Sequence, residues 1–74
     1  MMPITMVDPG RECTVIKVGG QGAVKRHLAD LGFTEGAVVS IVQRDGGNLI
    51  VNVRNSKLAI TSQMASKILV HILV

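Results

Sequence analysis

Eight side chains of the sequence carry atoms that bind transition metals: Cys13, His27, His71, Asp8, Glu12, Asp30, Glu35 and Asp45. They include no Cys-x-x-Cys or His-x-x-x-His pair, so the local sequence holds no two ligands at chelating distance. Cys13 falls on an inward strand position, where it serves as a small core residue. His27 follows two basic residues, which disfavour a cation. We therefore predict no metal site and no cofactor; only His71, which faces outward, is placed to bind a metal across a contact between molecules.

Catalytic residues do not stand out either. The sequence has no serine elbow, no cysteine–histidine pair at a readable spacing and no paired carboxylates beside a glycine-lined pocket. A chain of 74 residues also has little room for the cavity of about 300 Å³ or more that drug-sized ligands occupy. We predict that the protein is not an enzyme and has no catalytic residues.

A glycine-rich segment, Gly19–Gly22, precedes a predicted helix, which is where phosphate groups often bind. No Gly-Lys-Ser or Gly-Lys-Thr follows it, so the nucleotide-binding pattern is absent. The segment therefore predicts a turn.

The net charge of +3 and the pI near 9.6 raise the question of nucleic-acid binding. The basic residues are scattered, and only Lys25 and Arg26 are adjacent. Phe33, the sole aromatic residue, is needed for packing, so no aromatic surface is left on which bases could stack. We predict no nucleic-acid partner.

A helix with an abrupt end is the best-defined element. Val24, Leu28 and Leu31 lie at positions i, i+4 and i+7 and share one face. Gly32 follows where a left-handed cap is needed, and Phe33 is then placed to fold back on Leu28.

Short strands and tight turns make up most of the remaining sequence. Turns are predicted at Asp8–Gly10, Gly36, Arg44–Gly47 and Asn55–Ser56. Ser62 is predicted to cap a single helical turn, Ser62–Ala65. The predicted strands are 11–18, 37–43, 48–54, 57–61 and 67–73.

The first predicted strand changes parity near Ile16–Lys17, which indicates a β-bulge or sharp bend. Five short strands with one interposed helix predict a mainly β fold, a small and strongly bent antiparallel barrel formed by one domain of residues 1–74.

The sequence resembles the FeoA family. The resemblance rests on Leu28–Val39, the preceding glycine-rich loop with Lys25 and Arg26, Asp8–Gly10, Leu58–Ile60, and the closing Ala65, Ile68 and Val70. It covers Ile4 to Ile72. The sequence departs from the family pattern at Thr61, where arginine is common, at Asn55, where glycine is common, and at Thr34–Glu35, which lacks a proline. Thr61 puts in doubt any contact that depends on that arginine.

The resemblance implies an SH3-like barrel with one short α-helix between the first and second strands. It also implies a cytoplasmic accessory of ferrous iron uptake that binds the cytosolic part of the membrane transporter FeoB and modulates transport without catalysing a reaction. The same fold occurs in metal-dependent repressors of the DtxR type. A module that binds nucleic acid or a metal-dependent repressor therefore stays open as an alternative.

Five apolar residues fall on outward strand positions: Val38, Val42, Ile50, Leu69 and Leu73. They either form a surface that docks on another protein or a second copy, or lie scattered or covered by the helix and the N-terminal segment. Lys25 and Arg26 on the outer helix face are further candidates for protein contact. We predict a protein-binding surface that includes these seven residues.

A lone cysteine fits a reducing compartment. The N-terminus lacks a signal peptide, and no apolar run approaches the roughly 20 residues that span a bilayer. We therefore expect a cytoplasmic protein that does not insert into the membrane.

Overall fold

The computed structural model describes residues 1–73, so Val74, the last residue of the predicted domain, lies outside the described part. Six strands form one antiparallel sheet in the order β1-β6-β2-β3-β4-β5. The strands are β1 (Met2–Pro3), β2 (Glu12–Val18), β3 (Val38–Asp45), β4 (Asn48–Val53), β5 (Ser56–Thr61) and β6 (Ile68–Ile72). Helix α1 (Gly22–Leu31) lies between β2 and β3, and the short helix α2 (Ser62–Ala65) precedes β6. The predicted mainly β fold is confirmed.

Two bulges curve this sheet. The pairing of β2 with β6 shifts between Val15 and Lys17, which confirms the bend predicted at Ile16–Lys17. The pairing of β3 with β4 shifts between Ile41 and Gln43, a second bulge that the sequence did not indicate. Each bulge inserts an unpaired residue and increases the local twist, which helps so short a sheet to curl around its core.

The N-terminal segment contributes a strand that the sequence pattern did not reveal. In β1, Met2 pairs with Val70 and Pro3 pairs with Leu69. A 3₁₀ turn follows at Ile4–Met6, and the side chains of Ile4 and Val7 are fully buried. Two residues are too few for a period to be recognised, so only the pairing with β6 identifies this strand.

The core contains sixteen apolar side chains, and within residues 1–73 no polar or charged residue is buried. Leu28 and Phe33 are fully buried, and Leu31 packs against the core from a half-buried position. Val24, which the helical period placed on the same inward face, is 40% exposed. That prediction was wrong because the first six residues of α1 extend beyond the core and are all exposed, so Leu28 is the only fully buried residue of the helix.

Two turn predictions require a shift of one residue. Thr61, and not Ser62, caps α2: its Oγ1 accepts a hydrogen bond from the Met64 N–H at 3.2 Å. The Ser62 hydroxyl instead donates to the carbonyl of Gly47 at 3.0 Å. The turn between β4 and β5 is centred on Arg54 and Asn55, which both have positive φ, at 52° and 62°. Two successive left-handed residues are typical of a two-residue hairpin turn whose twist matches the strands.

Within residues 1–73, no helix is long and apolar enough to cross a membrane.

Candidate functional site

The end of α1 forms a sharp corner that positions the surface around it. Gly32 adopts the left-handed conformation with φ at 114°, and its N–H donates to the carbonyl of Ala29 at 3.0 Å. The N–H of Phe33 donates to the carbonyl of Leu28, also at 3.0 Å. These two bonds are the Schellman ending that the sequence predicts, and they direct the aromatic ring of Phe33 back into the core.

The loop after this corner is held against β2. The N–H of Gly36 donates to the carbonyl of Val15 at 2.8 Å, and the Val15 N–H donates to the carbonyl of Ala37 at 2.9 Å. Gly36 has a φ of 87°, which favours glycine at this turn. The loop Thr34–Gly36 is therefore a fixed ridge, and a groove lies on each side of it.

The larger groove, which we call the polar groove, has a volume of about 850 Å³. Val38 lies in it and is 50% exposed, a large fraction for an apolar strand residue. The Glu12 carboxylate accepts a hydrogen bond from the Ser40 hydroxyl at 3.3 Å within the same groove. The lining residues are Glu12, Thr34–Val38, Ser40 and Asn52–Asn55.

The smaller groove, which we call the apolar groove, has a volume of about 510 Å³ and lies between α1 and β2. Its lining is Met1, Ile16–Val18, Lys25, Ala29 and Phe33–Glu35. Both grooves exceed the volume that we expected of so small a chain, because they lie on the surface between elements and do not need to be enclosed by the core.

The structure separates the seven residues predicted to bind protein. Val38 and Leu73 are exposed, at 50% and 42%, whereas Val42, Ile50 and Leu69 are half-buried. Lys25 and Arg26 are both exposed on α1, but only Lys25 lines a groove.

These residues are also divided by polar side chains across the sheet. Glu12 pairs with Ser40, Ser40 with Asn52, and Asn52 with Lys57, which gives a polar row across four strands. Leu69 lies in a different row, opposite Pro3 and Lys17. Of the five outward apolar residues, only Val38 lines a groove, so it is the one whose surroundings have a shape that a partner can fill.

Neither groove was predicted from the sequence, because each is lined by residues that lie far apart in the chain. The polar groove joins Glu12 to Asn55, and the apolar groove joins Met1 to Glu35.

Residues 1–73 offer few side chains for metal binding or nucleophilic chemistry. Within residues 1–73, no three side chains of the His, Cys, Asp and Glu types come together to hold a metal ion. The Cys13 thiol is fully buried and donates to the carbonyl of Val39 at 3.5 Å. Burial raises the pKa of this thiol from 9.0 to about 11, so it is protonated at neutral pH and is neither a nucleophile nor a ready ligand. What the grooves offer is shape, apolar surface and a few exposed charges.

Comparison with known proteins agrees with this description. The sequence model of the FeoA domain family matches residues 2–72. The chain is 31% identical over 72 residues to "Putative Fe(2+) transport protein A" of Methanocaldococcus jannaschii, covering 96% of this chain and 87% of that protein.

Solved structures share the fold. The zinc complex of Stenotrophomonas maltophilia FeoA, described as a procaryotic SH3 domain protein, superposes with a TM-score of 0.81 at 26% identity, covering 96% of this chain and 91% of that one. A manganese-dependent transcriptional repressor superposes with a TM-score of 0.89 at 19% identity, covering 97% of this chain and 41% of the repressor. At that identity the repressor shows a shared fold only.

Proposed function

Since the chain belongs to the FeoA family, we propose that it is a cytoplasmic accessory protein of ferrous iron uptake that acts through protein–protein contact and not as an enzyme. Its partner in this proposal is the cytosolic part of a FeoB-type membrane transporter, whose transport it modulates. The whole chain acts as one SH3-like domain, and ferrous iron is the cargo of the partner.

The exposure of Val38 within the polar groove is the observation that carries this proposal. A half-exposed valine in a groove costs solvation free energy that a partner's apolar side chain recovers on docking. Glu12, Glu35 and Arg54 line the same groove, so charges of both signs surround the apolar centre. This is the usual arrangement of a protein interface, where the centre supplies affinity and the charged rim supplies orientation.

Screening by salt, which weakens exposed ion pairs but not apolar contacts, favours Val38 over the basic helix face as the main source of affinity. Exposed ion pairs such as those available to Lys25 and Arg26 contribute about 0–1 kcal/mol each. Burying the exposed half of a valine contributes a similar amount, and it also displaces water from the remainder of the groove. We therefore propose that the polar groove supplies most of the binding affinity for the partner, and that Lys25 and Arg26 on the helix orient the partner.

A substitution at Val38 tests the proposal. Val38→Asp places a carboxylate in the groove beside Glu12 and Glu35, and because the native side chain is half exposed the fold should tolerate it. We expect binding to the purified cytosolic region of a FeoB-type transporter, measured by isothermal titration calorimetry, to weaken at least tenfold.

Leu73→Asp is the control at the border of the polar groove: Leu73 is similarly exposed and its N–H donates to the Glu12 carbonyl at 2.9 Å, but it lines neither groove. Its affinity should stay within twofold of the wild type. If Leu73→Asp abolishes binding while Val38→Asp leaves it intact, the docking surface lies near β6 and our assignment to the polar groove is wrong. If the wild-type protein shows no binding at all, the proposed partner is wrong.

The second candidate is the alternative that the sequence left open, a module that binds nucleic acid or a metal-dependent repressor. Phe33 is the only aromatic residue and is fully buried, so base stacking is not available. Salt-dependent binding to DNA or RNA, measured by fluorescence anisotropy, would favour this candidate over the transporter accessory. Light scattering at several concentrations shows separately whether a second copy is a partner.

A further inference from the structure

Two lysines line the apolar groove where β2 leads into α1, and a third lies beside the glycine loop that joins these two elements. Lys17 and Lys25 line the apolar groove from β2 and from α1. Lys67 directly precedes β6, and its carbonyl accepts the N–H of Gly19 at 2.7 Å, which holds its backbone against the glycine loop. A Cβ atom placed on Gly20 would lie 3.1 Å from Cδ of Lys67, so the aliphatic part of this lysine crosses the glycine loop.

Exposed apolar side chains lie among these lysines. Met1 lines the apolar groove with Lys17 and Lys25 and is 68% exposed. Val24 is 40% exposed, and its Cγ1 would lie 3.8 Å from the same Cβ position at Gly20. We call the surface formed by Lys17, Lys25, Lys67, Met1 and Val24 the basic face.

Few carboxylates oppose this charge: of the five in the sequence, Asp30 lies on α1 about 140° around the helix from Lys25, and Asp8 precedes β2 at its Glu12 end. Glu35 is the one acidic residue that lines the apolar groove. Glu12 lies at the opposite end of β2 from Lys17, about 17 Å away at the usual rise per residue of a strand. Asp45 lies further on, because β3 runs antiparallel to β2 and extends five residues past Ser40, the partner of Glu12.

Nucleic acid fits the basic face less well than a membrane does. A nucleic-acid surface provides several aromatic or hydrogen-bonding groups for bases, whereas the basic face adds only a methionine and a valine to its lysines, and among residues 1–73 Thr34 is the one neutral polar side chain that lines the adjoining groove. Lysine ammonium groups around exposed apolar side chains match the boundary between anionic headgroups and acyl chains.

We propose that the basic face binds the surface of an anionic lipid bilayer, with the lysines at the headgroups and Met1 and Val24 at the acyl boundary. Each lysine near such a surface strengthens binding about fivefold, so three lysines give a weak and reversible association. The polar groove lies on the other side of the Thr34–Gly36 ridge and stays open to a protein partner. The proposal is therefore independent of the identity of that partner.

Vesicle co-sedimentation with the full chain tests this inference without any transporter present. The protein should bind vesicles that contain phosphatidylglycerol at least tenfold more tightly than vesicles of phosphatidylcholine alone, and added salt should weaken the binding. The double variant Lys17→Glu and Lys25→Glu should lose at least tenfold in affinity. Val24→Ser should weaken binding by a smaller factor that salt does not change.

Lys57→Glu is the matched control for Lys17→Glu and Lys25→Glu measured singly, because it makes the same change of charge at an exposed position on β5, the far edge of the sheet. It should bind vesicles within about twofold of the wild type. Equal loss in Lys57→Glu would mean that net charge alone acts, and equal binding to both kinds of vesicle would mean that no anionic lipid is recognised; either result overturns the proposal. Tighter binding to a single-stranded or duplex oligonucleotide than to the vesicles would do so as well.

Circular dichroism of each variant shows whether it is folded. If the double variant does not fold, Lys17→Gln with Lys25→Gln replaces it, since these substitutions remove the charge and keep most of the aliphatic chain. The same loss of vesicle binding is then expected, and undiminished binding contradicts the proposal.

Discussion

Gly32 lies directly against Val53: a Cβ atom placed on the glycine would be 3.2 Å from Cγ2 of the valine and equally close to Cδ of Arg54. The corner that ends α1 is therefore constrained in two ways, by a φ of 114° and by the approach of β4. Any side chain larger than glycine at this position would strain the backbone and also collide with β4. The end of the helix and the packing of the sheet therefore depend on the same residue.

Alanine substitutions at three glycines separate these two constraints. Gly32→Ala should lower the free energy of unfolding by about 2 kcal/mol or more, from left-handed strain together with the contact at Val53. Gly36→Ala, with φ at 87° and open space around it, should cost only the strain, about 1 kcal/mol. Gly47→Ala is neither strained nor crowded and serves as the control. Urea denaturation measures all three, and equal losses at Gly32 and Gly36 would contradict the role of the contact with Val53.

Leu28 and Val24 should differ sharply although both lie on the face that the helical period indicates. Leu28→Ala removes a fully buried side chain and should cost about 2–5 kcal/mol, enough to unfold much of so small a domain. Val24→Ala should cost less than about 0.5 kcal/mol, because the native side chain is 40% exposed. Thermal unfolding followed by circular dichroism distinguishes the two. A large loss in Val24→Ala would mean that the helix packs more closely than described.

Arg44 should stabilise the N-terminal segment. Its Nη2 atom donates to the carbonyl of Val7 at 2.9 Å and also to the carbonyl of Thr5. Arg44→Ala should lower the free energy of unfolding by about 1 kcal/mol and accelerate amide exchange at Val7, whose N–H bonds to Ile4. Lys57→Ala removes another exposed cation and should leave that exchange rate unchanged. If both variants exchange at the wild-type rate, the hydrogen bonds of Arg44 do not hold this segment.

Cys13 should make the fold sensitive to alkaline pH. Burial raises the pKa of its thiol from 9.0 to about 11, so in this range the unfolded chain loses the proton and the folded chain keeps it. Stability is unaffected by this group below pH 9 and falls as the pH rises from 9 towards 11. Urea midpoints measured across this interval should fall more steeply for the wild type than for Cys13→Ala. Parallel curves would show that the thiol does not contribute.

Local features of the fold were predictable from the sequence because neighbouring residues decide them. The end of α1 depends on Leu28, Gly32 and Phe33, which lie within six residues, and both hydrogen bonds of the ending form there. The bulge near Ile16 followed from a change of parity within one strand. The resemblance to the FeoA family was also found from the sequence, through segments that include Leu28–Val39, and the family match covers residues 2–72.

Only the tertiary structure decided which of the candidate surface residues lie in a groove. Val38 and Leu69 look equivalent in the sequence, yet one lines a groove while the other lies half-buried between Pro3 and Lys17. The sequence also gave no sign that Arg44 bonds to carbonyls 37 and 39 residues earlier in the chain. Nor did it show that the backbone of Lys67 lies against Gly19, beside the basic face. The sequence by itself determined the elements and the family, because turns, caps and alternation are set within a few residues. The grooves and the basic face depend on how the sheet curls, and that curvature brings together residues that no local pattern relates.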